Sequence, residues 1–434
     1  MHDIVSRIIL YKSLPEFSIL TGLSGVSSAA LSGCGNKDAL RIRFYDEVRR
    51  ILELASKYGF DKNLWHDFLS YLLIMDENPL SLSCEKNSAS LGSMARFAEN
   101  DHLAFWQLFN YDFALLEGAL GADVFSVLQN YVSPSAGDFM YDRAISEKVR
   151  LLSDALSEAA DAQSFSERIV AFYRRYGVGS FGMNKAFRFD TDLNGNIAFK
   201  PISNMVKVSF SDIIGYEIQK EKLIENTRAF VSGKRANNVL LYGDSGTGKS
   251  TSIKAVVNEY YADGLRMIEI YKHQFRDLSA LISRIKPRNY KFIIYMDDLS
   301  FEDNETEYKF LKAVIEGGME TVPDNILIYA TSNRRHLIRE IWRDRNDVEV
   351  TEAEVHHSDT LEEKLSLAHR FGVTINFSKP TRAQYMDIVS KLAEKNGLKI
   401  DGAELKKEAD RWEMAHGGLS GRTAQQFINH LLGK

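Results

Sequence analysis

The chain has 434 residues, of which 44% are hydrophobic, 26% are charged and only 7 are proline. This length predicts roughly two to three domains, and the composition excludes collagen-like, low-complexity and disordered proteins. Because 54 lysines and arginines stand against 59 acidic residues, the formal net charge is −5. The whole chain is therefore not a polycation that coats nucleic acid or anionic lipid.

The N-terminal region shows no recognisable targeting segment. Residues 19–35 are small and weakly apolar, but serine and glycine interrupt them, and a membrane span needs about 20 predominantly apolar residues. Two cysteines, Cys34 and Cys84, are too few for a disulfide scaffold or a cysteine-based zinc site, and they fit a reducing compartment. We therefore expect a soluble, cytoplasmic protein without a membrane partner.

Residues 1–185 are predicted to form a helical N-terminal domain. Apolar residues recur at helical spacing over 44–58, 65–75 and 145–156. Five aromatic residues fall between positions 105 and 113, and they indicate either a packed helical core or an aromatic ligand site. No constellation of catalytic or metal-ligating residues is recognisable in this half of the chain.

The pattern changes in residues 186–207, where short alternating runs around an Asn-Gly pair predict a hairpin or an extended linker. Residues 208–378 then alternate strands with helices, which predicts an α/β domain with a doubly wound parallel sheet. Residues 379–434 are predicted to form a small helical lid. The predicted strands are 238–242, 266–271, 291–296 and 325–330, and the predicted helices between and around them are 217–232, 249–262, 278–285 and 305–316.

A glycine-rich segment that follows the first of these strands matches the phosphate-loop pattern G-x-x-x-x-G-K-[ST]. Its glycines allow backbone N–H groups to approach a phosphate, and the positive end of the next helix faces the same charge. Lys249 would reach the β- and γ-phosphates, and the Ser250 hydroxyl would bind Mg²⁺. The predicted nucleotide-binding residues are Gly243, Asp244, Ser245, Gly246, Thr247, Gly248, Lys249, Ser250 and Thr251.

Acidic and amide side chains follow two later strands. The apolar run 292–296 ends in Asp297 and Asp298, which places two carboxylates at the ligand crevice of a doubly wound sheet. Asp297 is the predicted magnesium partner, and Asp298 is the predicted group that polarises the attacking water. Asn333, after the next strand, would bond to that water or to the γ-phosphate, although asparagine is also a common turn residue there.

In this order, the phosphate loop, the acidic strand and the asparagine strand resemble the AAA+ ATPase superfamily. Two further matches extend the resemblance over residues 208–434. Arg370, in the sequence Arg-Phe-Gly, resembles the arginine that reaches the γ-phosphate of the neighbouring subunit. Arg422 resembles the second-sensor arginine at the start of a lid helix. The resemblance implies ATP and Mg²⁺ as cofactors, a homo-oligomer, and hydrolysis at subunit interfaces.

A narrower resemblance leads to the bacterial AAA+ family known as domain of unknown function 815. Residues 297–302, 323–337 and 370–372 carry it. It implies an ATPase core and specifies no client.

Two departures leave assignments open. Most AAA+ proteins end the acidic strand in Asp-Glu, whereas this chain has Asp-Asp, so Asp298 would place water less well unless Glu302 helps. Slow turnover, typical of a switch, is therefore one alternative. Arg334 and Arg335 follow Asn333 directly and are alternatives to Arg370 as the residue that acts in a neighbouring site.

Three further segments carry weaker functional signals. Residues 334–345 hold five arginines and form either a solvated helix face or a surface for nucleic acid or a partner. Residues 271–275 resemble an aromatic pore loop only loosely, and packing is the alternative. The histidine pair 356–357 lacks the spacing of a metal site.

These features predict an AAA+ ATPase that remodels or assembles an unknown protein client. A nucleic-acid-associated ATPase of the loader or initiator type and a slow nucleotide-dependent switch are the alternatives. The net charge of −5 favours the protein client over nucleic acid.

Overall fold

We describe the protein from a computed structural model, which divides into two compact units, Met1–Asn184 and Lys185–Lys434. The residues that the structure describes are 1–86, 91–133, 143–191, 197–202, 205–301, 307–316, 323–333, 367 and 370–433.

The first unit is helical. Its helices are α1 His2–Ser6, α2 Phe17–Leu31, α3 Lys37–Tyr58, α4 Leu64–Met75, α5 Pro79–Glu85, α6 Met94–Phe109, α7 Ala114–Leu120, α8 Phe125–Gln129, α9 Arg143–Ser157, α10 Ala162–Tyr176 and α11 Gly179–Met183. The three predicted helices lie within α3, α4 and α9. The start of α3 illustrates the local reason: the Asn36 side chain accepts the backbone N–H groups of Asp38 and Ala39, which satisfies the free donors of the first turn.

One apolar core runs through this helical unit. The aromatic cluster of the sequence belongs to it, because Phe105, Phe109 and Phe113 are buried, and Trp106 and Tyr111 pack against it half-buried. The prediction of a packed core is therefore confirmed.

The second unit is built on a seven-stranded sheet with the order β2-β1-β4-β5-β6-β3-β7. β1 and β2 pair antiparallel, and all other pairs are parallel. The strands are β1 Ala186–Thr191, β2 Ile197–Pro201, β3 Val239–Gly243, β4 Leu265–Glu269, β5 Lys291–Met296, β6 Ile326–Ser332 and β7 Val373–Phe377. The predicted α/β class, with a mainly parallel sheet and a helical N-terminal region, is confirmed.

Helices α12 Glu217–Val231, α13 Lys249–Tyr260, α14 Leu278–Ile285 and α15 Tyr308–Glu316 accompany the strands. In the central strand β5, the five residues from Phe292 to Met296 are all buried. Burial of consecutive residues means that both faces of the sheet are covered, as expected for parallel strands.

Two features of the sheet differ from the sequence description. The antiparallel pair of β1 and β2 belongs to the sheet, because β1 pairs in parallel with β4, from Ala186 beside Met267. The strand β7 was not foreseen. Its sequence, Val-Thr-Ile-Asn-Phe, alternates β-branched or aromatic residues with polar ones, which is a strand signal that was available.

The lid consists of three helices, α16 Arg382–Lys395, α17 Gly402–Ala415 and α18 Gly421–Leu432. They share a small apolar core that includes Tyr385, Leu405 and Phe427. Within the described part of the chain, no helix combines the length and apolarity that crossing a membrane requires.

Candidate functional site

The loop after β3 has the backbone geometry of a phosphate cradle. Gly243, Gly246 and Gly248 adopt φ values of 129°, 77° and 95°, which side-chain-bearing residues rarely adopt. At Gly243 a Cβ atom would lie 2.3 Å from the Phe377 carbonyl oxygen, so only glycine fits there. Gly248 is the N-cap of the 12-residue helix α13, so the free N–H groups of that helix begin at the loop.

The side chain of Lys249 is buried beneath this loop. Its Nζ donates to the carbonyl oxygens of Gly243 at 2.9 Å and Asp244 at 2.6 Å, and to Asn333 Oδ1 at 2.9 Å. Burial lowers the pKa of Lys249, and the neighbouring carboxylates work in the opposite direction. The ammonium group is thereby held where the loop and the end of β6 meet.

Asp297 receives two hydroxyl groups on one carboxylate oxygen. Ser250 Oγ donates to Asp297 Oδ1 at 2.8 Å, and Thr331 Oγ1 donates to the same atom at 2.6 Å. Burial works to raise the pKa of Asp297, but the hydrogen bonds, that from Thr331 first among them, outweigh it and lower the pKa. The carboxylate is thus kept ionised beside the phosphate-loop serine.

Asp298 occupies a strained backbone position at the same edge. Its φ is 51°, a left-handed value that is uncommon for a residue other than glycine. Its N–H donates to Thr331 Oγ1 at 2.9 Å, and its Oδ1 accepts Asn333 Nδ2 at 2.7 Å. Asn333 therefore bridges Lys249 and Asp298, one with its oxygen and the other with its nitrogen.

These groups open into a cavity of about 670 Å³. Its polar part is formed by the loop residues 246–251 and by Asp297, Asp298, Thr331 and Asn333. Its other walls are mainly apolar, and these residues were not found from the sequence: Val208, Ile213, Ile214, Tyr216, Ile388 and Leu392. The two consecutive isoleucines just before α12 are the part of this wall that lies near the phosphate loop in sequence. The lid residues of the wall lie almost 180 positions further along the chain, so no local pattern links them to it.

The lid contacts the phosphate loop directly. The Arg422 N–H donates to the Gly246 carbonyl oxygen at 3.2 Å, and Arg422 lines the cavity. A Cβ atom on Gly246 would lie 3.0 Å from Ser420 Oγ, so the absence of a side chain at Gly246 permits this approach.

The comparisons with known proteins show which family the chain belongs to. A family model with the description "Protein of unknown function (DUF815)" matches residues 182–434, which is more than half of the chain. The chain belongs to this family. The resemblance of residues 297–302, 323–337 and 370–372 to the DUF815 family is therefore confirmed.

Other similarities of this DUF815 protein are more distant. The large subunit of replication factor C from Methanococcus maripaludis is 37% identical over 59 residues, which are 14% of this chain and 12% of that protein. A mutant of RuvB from Thermotoga maritima is 16% identical with a TM-score of 0.37, over 52% of this chain and 65% of that chain. A second structure, described as the Thermotoga maritima RuvB Holliday junction branch migration motor, is 15% identical with a TM-score of 0.33, over 51% of this chain and 72% of that chain. The DUF815 chain thus spans under two thirds of the first RuvB chain and about an eighth of the replication factor C subunit.

Arg370 lies away from the cavity of its own chain. It precedes β7, which is parallel to β3, whereas the phosphate loop follows the carboxyl end of β3. A strand of five residues rises about 3.3 Å per residue, so roughly 16 Å of strand separates the two ends. Among the described residues, Arg370 is not part of the cavity wall.

Several sequence predictions lie outside the described residues: Glu302, Arg334 and Arg335, the segment 334–345, and the histidine pair 356–357. The segment 271–275 is described. Phe275 is buried, and Gln274 Oε1 accepts the backbone N–H of Tyr271 at 2.9 Å, while the Tyr271 side chain is exposed. These contacts favour the packing interpretation of that segment.

The residues beside the loop suit Mg²⁺. This ion keeps several waters and is usually held by one or two carboxylates together with substrate phosphates. Ser250 and Asp297 supply a hydroxyl and an ionised carboxylate that are 2.8 Å apart. In the described part of the chain there is no cluster of three or more His, Cys, Asp or Glu residues that could hold a metal alone. The donor set therefore fits an ion that arrives with a nucleotide.

Proposed function

We propose that this protein binds Mg-ATP in the cavity and hydrolyses it. The observation that carries the proposal is the hydrogen-bonded row Lys249–Asn333–Asp298 beside the Ser250–Asp297 pair, at the polar end of one cavity. An ammonium group, a serine–aspartate pair and a second carboxylate thus lie side by side. Phosphoryl transfer requires little beyond such positioning and charge stabilisation.

Each residue has a defined task in this proposal. The backbone N–H groups of residues 246–251 hold the phosphates, and Lys249 moves its hydrogen bonds from the loop carbonyls to the β- and γ-phosphates. When bound, Mg²⁺ neutralises developing charge on the phosphate oxygens, with Ser250 and Asp297 as its protein ligands. Asp298 orients the attacking water and takes up its proton, and Asn333 contacts the γ-phosphate.

We propose that Arg370 acts in a neighbouring subunit and that Arg422 acts in its own. Arg422 lines the cavity. Arg370, in contrast, precedes the amino end of β7, whereas the cavity lies at the carboxyl ends of β7 and its parallel neighbour β3. An arginine at that end reaches a phosphate only if a second copy of the chain brings its cavity to it. The proposal therefore includes a homo-oligomer, either a ring in which this contact repeats between successive subunits or an assembly that forms when nucleotide binds.

Adenine as the base, the cytoplasmic location and a protein client belong to the proposal as well. The choice of adenine rests on the AAA+ resemblance, and the choice of a protein client rests on the acidic net charge of −5. The similarity of 59 residues to replication factor C favours a nucleic-acid loader as the second candidate. A slow switch is the third, because Asp298 is one methylene shorter than the usual glutamate.

The first experiment measures ATP turnover per subunit over a range of protein concentrations, with and without single- and double-stranded DNA. Turnover per subunit that rises with concentration supports sites completed by a neighbour. Stimulation by DNA that weakens with salt supports the loader, because each phosphate contact steepens the salt dependence. Sustained rates well above about 1 s⁻¹ exclude the slow switch, since that is the low end for ordinary enzymes.

The catalytic assignment is tested with Asp298→Asn. We expect a loss of turnover of about 10²- to 10⁴-fold, the usual contribution of a general base, with ATP binding retained. Asp263→Asn is the control, because Asp263 is an exposed residue in the turn after α13. Wild-type turnover in Asp298→Asn would remove Asp298 from the mechanism.

A mixing experiment tests the neighbour's arginine. Arg370→Ala and Asp298→Asn are each expected to be inactive, since an arginine that acts between subunits contributes about 10³- to 10⁵-fold. A mixture regains activity if an Asp298→Asn subunit supplies its Arg370 to an intact Arg370→Ala site. Two inactive variants that stay inactive when mixed would contradict the assignment and would direct attention to Arg334 and Arg335.

A further inference from the structure

The connection from β7 to the lid contains one peptide group that is held on both sides. Four residues separate the end of β7 at Phe377 from the start of α16 at Arg382. Within them, the carbonyl oxygen of Ser378 accepts the Tyr216 hydroxyl at 2.8 Å, and the N–H of Lys379 donates to Asp244 Oδ2 at 2.8 Å. Both bonds are to the same Ser378–Lys379 peptide, which we call the clamped peptide.

The contacts of Asp244 account for the presence of an acidic side chain in this phosphate loop. A carboxylate this close to bound phosphates opposes their binding by charge repulsion, and the loop pattern leaves this position free to be any residue. Its side chain bonds to Lys379, and its backbone N–H donates to the Phe377 carbonyl oxygen at 3.0 Å. The acid therefore serves the connection to the lid rather than the phosphates.

Tyr216 reaches the clamped peptide from the other side. It takes a left-handed φ of 60° at the N-cap of α12, and its ring lies 5.1 Å from the ring of Phe377. The same side chain lines the cavity. Burial, and then the charge of Asp244, raises the pKa of Tyr216 to about 12, so its hydroxyl remains a donor near neutral pH.

The clamped peptide is placed to set the direction of the lid. Pro380 follows it at once and has a restricted φ, and Thr381 caps α16 by accepting the N–H of Gln384. At the far side of the lid, Arg422 lies on the phosphate loop through its bond to Gly246. A short connection that is fixed at one peptide therefore determines where Arg422 is held.

We propose that Asp244 and Tyr216 are positioning residues, which fix the Ser378–Lys379 peptide and thereby hold the lid arginine over the bound nucleotide. This inference rests on the proposed function. A nucleotide that fills the cavity contacts both the phosphate loop and Tyr216, so occupancy and lid position become linked through one peptide group.

The decisive comparison is between two variants of one residue in the full-length protein. Asp244→Asn removes the charge but keeps an oxygen that accepts the Lys379 N–H, whereas Asp244→Ala removes both. We expect kcat to be about tenfold lower in Asp244→Ala than in Asp244→Asn, because only the asparagine keeps an acceptor for the Lys379 N–H. KM for ATP should not rise in either variant, because both lose the repulsion between the acid and the phosphates.

Tyr216→Phe tests the other side of the clamp. We expect kcat to fall about threefold, as for a neutral hydrogen bond, and the double variant with Asp244→Ala to lose less than the product of the two single losses. Tyr385→Phe is the matched control, because among the described residues the buried Tyr385 hydroxyl has no hydrogen-bond partner. It should leave turnover unchanged.

The rate of amide hydrogen exchange measures how firmly the clamped peptide is held, and it does not depend on activity. Exchange in a fragment that covers residues 377–385 should be faster in Asp244→Ala than in Asp244→Asn, and ATP should slow it in the wild type. Equal kcat and equal exchange in the two variants would overturn the inference, as would a raised KM at constant kcat, which indicates damage to the loop alone. If the wild type neither binds nor hydrolyses ATP, the proposed function fails, while the exchange difference between the two variants still decides whether the clamp exists.

Discussion

The two units of this protein use hydrogen-bonded carboxylates for different purposes. In the helical unit, Asp101 is fully buried and accepts backbone N–H groups of Ile9 at 2.9 Å and Leu10 at 2.6 Å. In the α/β unit, Asp297 accepts the hydroxyls of Ser250 and Thr331 and faces a cavity. Both carboxylates are well bonded, but one fastens a chain segment and the other faces space for a ligand. A well-bonded carboxylate is therefore no evidence of a ligand site by itself, whereas several polar groups that face one cavity are.

The largest effect that would separate the two units comes from Lys249→Ala. The Lys249 ammonium lies between the phosphate loop and Asn333, so its removal should cost at least about 100-fold in ATP turnover, as other cationic clamps on phosphoryl groups do. Unfolding by urea should change little. The measurement is turnover and binding of a fluorescent ATP analogue, with the exposed Lys222→Ala as control. Normal binding of the analogue in Lys249→Ala would contradict the phosphate-binding role of Lys249, and with it the contrast between the two units.

The contiguous part of the site could be predicted from the sequence, because local chemistry determines it. The phosphate loop is an unbroken pattern, and Asp297, Asp298 and Asn333 follow apolar strands whose carboxyl ends must meet in a parallel sheet. The structure brings these residues together as hydrogen-bonded neighbours. Their roles remain predictions.

The parts that were missed depend on chain segments that meet only after folding. The apolar wall joins Ile213 and Tyr216 to Ile388 in the lid, and no local pattern links positions that far apart. The contact from Asp244 to Lys379 spans 135 positions. Likewise, the pairing of β1 with β4 places the β1–β2 pair in the sheet, although its own sequence allows a free linker. A loop pattern identifies which residues can bind phosphate, but not which of them also bind the lid.

A smaller effect, on stability and not on turnover, is expected from Asp101→Ala in the helical unit. The substitution leaves the partly buried N–H groups of Ile9 and Leu10 without their acceptor, which should lower the free energy of unfolding by about 2 kcal/mol. Turnover per folded molecule should stay unchanged. Urea titration and ATPase assays on the same preparation measure both, with Asp46→Ala on the exposed side of α3 as control. Lost turnover in a stably folded Asp101→Ala protein would show that the helical unit takes part in the reaction.

The smallest effect concerns pH and two buried groups of the helical unit. Burial lowers the pKa of His102 to about 3, and the neutral ring bonds to the Tyr11 hydroxyl at 3.0 Å and to Ser166 Oγ at 2.7 Å. Burial raises the pKa of Asp67 to about 6. As the pH falls below about 6.5, the unfolded chain protonates its histidine while the folded one does not, so stability is lost. As it falls below about 6, folded Asp67 takes up its proton before the unfolded chain does, so stability is gained.

Between about pH 4 and 6 these two contributions oppose each other, each with a slope of about 1.4 kcal/mol per pH unit. Substituting one group should expose the other. Relative to wild type, His102→Gln should become more stable as the pH falls from 6 to 4, and Asp67→Asn should become less stable over the same interval. Urea titrations of the three proteins at pH 4, 5, 6 and 7 measure these differences, from which every other titrating group cancels. Parallel pH profiles for all three would mean that these residues titrate alike in the folded and unfolded chain, and that their burial has no consequence for pH. ATP turnover measured near pH 7 should be the same in both variants, because both residues belong to the unit whose buried charges maintain the fold.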